Sequence, residues 1–186
     1  MPVLPVQPHT QALRGFVMTM LLPSPTPYDD ATRQALVDLL NPLTLDTIAI
    51  GLAAWRAHRS LSGPCFSALH PLFQAFAERL DKIADKFPEF VAMLGGQPVG
   101  LADEVTEGTR IDPYPRDTTD GIAHCRELFD RAQALSAYLG QGITAANELG
   151  AADALDLLTK AQEHVNYYGW QIGRHFAPTA GATEMT

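Results

Sequence analysis

The chain is poor in most of what chemical signatures are built from. Of 186 residues only two are cysteines, Cys65 and Cys125. That excludes a disulfide framework and a cysteine zinc cluster. Positive charge is scarce: 13 Lys and Arg stand against 21 Asp and Glu, a net −8. A dedicated nucleic-acid binder usually shows a basic face or tail, so this balance argues against one. Long apolar runs are missing as well. The longest candidate, from Gly15 to Leu22, falls short of the roughly 18 residues that span a bilayer. It follows a lone Arg14 and lacks a small-residue cleavage site, so no signal peptide and no membrane association are expected, and the cytoplasm is the expected location. There is no glycine-rich phosphate loop and no Gly-x-Ser-x-Gly elbow. What is there is a globular composition, 46% hydrophobic and 18% charged. At 20.2 kDa it is one ordinary domain with a sizeable core.

Proline punctuates the chain unevenly. Six of 14 prolines fall in residues 1–28, which reads as an extended arm able to dock through Phe16, Met18, Leu21 and Leu22. From Asp29 or Asp30 the pattern turns helical, with Leu36, Leu40, Leu43, Ile48, Leu52 and Trp55 at helical spacing and Pro42 expected to bend it. Ser60–Pro64 reads as a turn. Phe66, Leu69, Phe73, Phe76, Leu80, Ile83, Phe87, Phe90 and Leu94 then follow steps of three and four, an amphipathic helix ended by Gly95-Gly96. Residues 97–117, with three prolines and two glycines, form a long connection. Thr118 or Asp120 opens a third helix running to about Glu148. Gly150 precedes a fourth, with Leu155, Leu158, Ala161, Val165, Tyr168 and Ile172 on one face. The expectation is an all-α, ferritin-like four-helix bundle over residues 29–175, with a long crossover between its second and third helices and a frayed tail over 176–186.

Histidine and carboxylate carry what chemistry remains. No histidine has a glutamate three residues before it, so the Glu-x-x-His pairs of an intrasubunit di-iron bundle are absent. The second helix holds another set. Counted around its axis from His70, Gln74, Asp85 and Glu89 fall at about 40°, 60° and 100°, beside the apolar stripe. Asp85 and Glu89, four apart, can point at one metal ion. His70 lies roughly 22 Å along the axis from Asp85, and His58 precedes it across the turn. If these four make one site, the histidines come from one chain and the carboxylates from another. The plainer alternative is a solvated acidic face beside structural histidines. Trp55, Trp170, Tyr167 and Tyr168 read as packing residues, His124 and His164 as surface, and Cys65 as a buried free thiol.

The spacing of these residues resembles the Dps family of ferritin-like proteins of starved bacteria. The pattern Leu-Asn, His, Gly-x-x-Phe, His reads here Leu40-Asn41, His58, Gly63-Pro64-Cys65-Phe66 and His70. Asp85, Glu89 and Leu94-Gly95-Gly96 continue it without a gap, and Asp156-Leu-Leu-Thr159, Trp170 and Ile172 follow in the last helix. The resemblance implies a hollow homo-dodecamer that oxidises ferrous iron, usually with hydrogen peroxide, and stores ferric iron, protecting against oxidative stress. It implies His58 and His70 as ligands from one chain and Asp85 and Glu89 from its neighbour. Such a mixed imidazole and carboxylate set suits Fe²⁺, and Mn or Zn also bind sets of this kind.

Three positions depart from the family pattern. Gln74 stands where an aspartate is common, Arg59 where tryptophan usually follows the first histidine, and Pro88 lies between the two carboxylates. Gln74 and Arg59 are therefore expected around the metal ligands rather than among them. The second hypothesis is a Dps-like shell with a degraded metal site that binds or scaffolds without turnover. DNA binding, the family's other trait, is not expected. The arm carries one basic residue in 28, the tail none after His175, and twelve copies would carry about −96.

Overall fold

Asp29 starts the first helix because its carboxylate accepts the Thr32 N–H at 2.8 Å, satisfying a donor the helix cannot. The computed structural model describes residues 21–176 and contains five helices there: α1 (Asp30–Ser60), α2 (Phe66–Met93), α3 (Ala102–Gly108), α4 (Gly121–Glu148) and α5 (Ala152–Gly173). Asp120 caps α4 in the same way, through the Ala123 N–H. The short Leu61–Cys65 turn folds α2 back on α1, and Leu149–Ala151 does the same for α4 and α5. The two hairpins pack along α1–α4 and α2–α5. The long crossover between them carries α3, which lies on α1. The fold is all-α and ferritin-like, as expected. Among the described residues the β structure is one isolated bridge, Ser62 with Asp120.

The core follows the apolar stripes, with instructive exceptions. Leu69, Phe73, Phe76, Leu80, Ile83 and Phe87 of α2 are buried, and so are Leu36, Leu40 and Leu43 of α1. Each such side chain contributes about 1.5–3 kcal/mol by leaving water. In the second half of α1 the buried face belongs to Ile50, Ala53, Ala54 and Ala57, while Leu52 is exposed. Phe66, at the start of the α2 stripe, is exposed too. One 18-residue window of α1 has a mean hydropathy of 1.4, enough for a membrane span by composition. Most of that window is buried in the bundle, which accounts for it. Both α1 and α2 run through their prolines as single helices.

Leu94-Gly95-Gly96 does more than end α2. The Gly95 and Gly96 N–H groups donate back to Ala92 and Val91 at 2.9 and 3.0 Å, closing the helix with Gly95 at φ 80°. The Gly95 carbonyl then accepts the Leu22 N–H at 2.8 Å. A Cβ on Gly95 would stand 2.2 Å from the Leu22 carbonyl oxygen, so only glycine lets the arm dock here. Arg33, buried, seals the joint by donating to the Leu22 and Leu94 carbonyls and to Asp30. Leu21 packs on the core as expected, whereas Leu22 docks through its backbone with its side chain exposed. Phe16 and Met18 lie outside the described residues.

A buried carboxylate fixes the crossover. Asp46, in the middle of α1, is fully buried and accepts from the Arg110 guanidinium at 2.6 and 2.8 Å, the Arg110 N–H at 2.7 Å and the Thr109 hydroxyl at 3.0 Å. Arg110 also lies on the Tyr138 ring of α4. At the start of the crossover, buried Asn41 donates to the Gln97 carbonyl at 3.1 Å. Leu40-Asn41 and Leu94-Gly95-Gly96 thus meet at the same end of the bundle.

Candidate metal centre

His58 sits in the last turn of α1 and His70 in the first turns of α2, so the tight turn between them brings the rings together. The ring centroids are 3.9 Å apart with a tilt of 38°. His58 Nδ1 lies 3.0 Å from the His70 carbonyl oxygen. A carbonyl can only accept, so Nδ1 carries the proton and Nε2 is left with a free lone pair. Both residues are half-buried. Phe66 stacks at 4.7 Å from His70, and Trp55 meets His58 edge-on at 5.6 Å. The Trp55 N–H donates to Asp81 at 3.0 Å. Phe66, left exposed at the start of the α2 stripe, is therefore part of this region.

The carboxylates are elsewhere. Asp85 and Glu89 share an exposed face of α2, and Lys86 donates to Glu89 at 2.7 Å. Among the described residues no group of three or more His, Cys, Asp or Glu converges within one chain. One chain therefore supplies a histidine pair at one end of α2 and a carboxylate pair about 22 Å along it. Gln74 lies half-buried one turn beyond His70 and donates its amide to Glu78 at 2.8 Å. Arg59 turns onto Trp55, its guanidinium carbon 5.2 Å from the ring centroid, a placement that keeps the charge on the aromatic face.

Other expectations need correction. His124 is fully buried, not at the surface. The Tyr114 hydroxyl lies 2.7 Å from its Nδ1 and the Ser60 hydroxyl 3.2 Å from its Nε2. Ser60 gives its own proton to the Arg56 carbonyl at 2.8 Å, so His124 Nε2 donates to Ser60 and Nδ1 accepts from Tyr114. Burial and the charge of Arg56 hold the His124 imidazole below its ordinary pKa. His164 is half-buried rather than on the surface, 3.5 Å from Arg79. Trp170 and Tyr167 are mostly exposed rather than packed. Cys65 is half-buried, and the buried thiol is Cys125, pushed up to about 12 by burial and inert as a nucleophile. The edge contact of Trp55 with His58, and the Asp81 carboxylate that takes the Trp55 N–H, were missed as surroundings of the site. The signal was available in Trp55, which stands three residues before His58 on one helix face.

Comparison with known proteins agrees with this architecture. The family model for the ferritin-like domain matches residues 37–177. The DNA protection during starvation protein of Agrobacterium fabrum is 27% identical over 143 residues, covering 77% of this chain and 88% of the relative. Among solved structures, DpsC from Streptomyces coelicolor superimposes with a TM-score of 0.82 at 22% identity, covering 86% of this chain and 93% of that one. A Dps homologue from the archaeon Halobacterium salinarum gives 0.79 at 18%, covering 85% and 88%. With the helix order and the crossover in agreement, the chain belongs to the ferritin-like family, within its Dps branch.

Proposed function

We propose that this protein binds ferrous iron between two copies of the chain, oxidises it with hydrogen peroxide and stores the ferric product inside a closed shell. Iron is substrate and cargo here. The observation that carries the reading is the His58–His70 pair, with His58 Nε2 held free by the Nδ1 bond to a backbone carbonyl. A carbonyl on the far ring nitrogen fixes the tautomer and raises the basicity of the near one. Two imidazoles alone hold ferrous iron poorly, and Asp85 and Glu89 of a neighbouring chain supply the charge that completes the set. The DpsC and Agrobacterium likenesses support a homo-oligomeric shell, for which twelve copies is the reading. Each ferrous ion gives up one electron, and two such electrons break the peroxide O–O bond; two protons are consumed and two waters leave. Mn²⁺ and Zn²⁺ fit the same donors and would compete. The acidic balance of the chain supports a shell that does not hold DNA strongly.

Two measurements test this. Gel filtration with light scattering should give about 240 kDa, twelve chains of 20.2 kDa. A stable 20.2 kDa monomer would remove the two-chain site. Ferrous iron followed by peroxide should then give ferric absorbance and iron retained with the shell. A second reading, a shell without turnover, draws on Gln74 being committed to Glu78 and Glu89 to Lys86. It predicts the same mass but no faster iron oxidation than buffer.

A further inference from the structure

All three lysines of the chain, Lys82, Lys86 and Lys160, line one groove between α2 and α5. Arg79 and His164 line it too, and Asp85 and Asp156 are its two carboxylates, leaving four cations against two anions. In a chain of net −8 this is an unusual gathering of positive charge. Two of the cations already have partners: Lys86 binds Glu89 at 2.7 Å and Lys160 binds Asp156 at 2.5 Å. Lys82 makes no hydrogen bond or ion pair among the described residues, and the one side-chain contact of Arg79 there is with His164, at 3.5 Å. The groove encloses about 460 Å³, the size of a small organic molecule rather than a bare ion. Its floor is apolar, formed by Ile83, Phe87 and Leu157.

We propose that this groove binds a small organic oxyanion, a phosphate or carboxylate carried on an apolar body. The body would lie on the Ile83–Phe87–Leu157 floor and displace water from it. The oxyanion would meet Lys82 and Arg79, the cations without carboxylate partners, with Lys160 across the groove on α5. Neither a neutral apolar molecule nor a bare anion uses both features. The groove is built within one chain and uses neither the histidine pair nor a metal; it shares Asp85 with the proposed iron site, so binding is read in metal-free protein, where loss of iron binding and loss of anion binding are separate outcomes.

The test uses the full-length assembled protein, free of metal, in equilibrium dialysis at physiological salt. The probes are 1-naphthyl phosphate, 1-naphthoate, 1-naphthol and inorganic phosphate. Saturable binding of about one molecule per chain is expected for at least one of the two naphthyl anions, and whichever binds more tightly identifies the headgroup. Naphthol and inorganic phosphate should each bind at least about tenfold more weakly. Lys82→Glu with Lys160→Glu, both exposed side chains, should weaken the anion at least about tenfold, while Arg126→Glu on α4 leaves it unchanged. Naphthol binding as well as the anions, equal loss in Arg126→Glu, or no saturable binding would each overturn the proposal.

Discussion

His124 and the His58–His70 pair are near neighbours with opposite uses of the same side chain. Ser60, which bonds His124, lies two residues from His58 on α1. His124 is fully buried and has both ring nitrogens engaged. His58 is half-buried, with one nitrogen engaged and the other free. Asp46 belongs with His124: buried, with four donors directed at its two oxygens. A polar group whose bonding capacity is used up inside the fold is holding the fold together. One left partly unbonded, at the edge of the core and beside an exposed apolar side chain, is available to a ligand or a partner chain. The comparison separates structural from functional groups by their bonding, which residue type alone does not do.

The sharpest way to break this distinction is at Asp46. Asp46→Ala leaves the Arg110 side chain and two crossover donors without their acceptor. Loss of one member of a buried pair costs about 3–5 kcal/mol. Arg110 is partly exposed and can reach water, so the lower end, about 3 kcal/mol, is expected. Thermal unfolding should fall by about 6–12 °C. Iron bound per folded chain should not change. A variant as stable as the parent would mean that the crossover is held by something other than this clamp.

His70→Ala reverses the outcome. Removing a ligand should weaken ferrous binding at least about a hundredfold, since even the groups that orient metal ligands are worth 10- to 100-fold. Stability should move by about 1 kcal/mol or less, because the ring is half-buried and fills no sealed cavity. Calorimetric titration with Fe²⁺ under anoxic conditions, beside a denaturant curve, separates the two effects. Unchanged iron affinity would mark the histidine pair as a remnant of the fold and favour the shell without turnover.

The acid limb of stability gives a smaller effect with a definite sign. The folded state holds His124 at a lowered pKa, chiefly by burial and then by Arg56. The native state therefore binds fewer protons there than the unfolded chain. This contribution is complete above the ordinary histidine value of 6.5 and is lost as pH falls from there through the folded value. His164, lowered by burial and Arg79, acts in the same direction. His124→Leu should flatten the dependence of melting temperature on pH between about pH 7 and 5. An unchanged slope would assign the acid limb to His164 or to the carboxylates.

Most of the fold was legible because large apolar side chains declare a helix face by their spacing. The α2 stripe from Leu69 to Phe87 was readable, and of the two starts offered for α4, Thr118 or Asp120, the structure takes Asp120 as the cap, with the end at Glu148. The second half of α1 was not: Ala53, Ala54 and Ala57 pack inside while Leu52 faces out, and alanine carries little signal. Polar clamps were invisible for a different reason. Asp46 and Arg110 are 64 residues apart, and nothing local to either says that they meet. The histidine pair was legible through its spacing across a short turn. Its Trp55–Asp81 surroundings were not, since the two lie on different helices.

The finest test concerns the two departures beside the histidines. Gln74 offers a neutral amide, already given to Glu78, where a carboxylate would add a charged oxygen one turn from His70. Arg59 keeps a positive charge near the site, though it rests on Trp55. Gln74→Asp adds one negative charge within reach of the metal, and Arg59→Trp removes a positive one. In the partly exposed setting of these side chains, each change should act through a high effective dielectric. Together they should raise affinity for a second ferrous ion by about tenfold. The first ion, held by the histidines, should change less. Oxidation rate against iron loading reads this directly: the double variant should speed up chiefly beyond one iron per site. A uniform acceleration at all loadings would mean that the substitutions act on the surface field alone and that position 74 never reaches the metal.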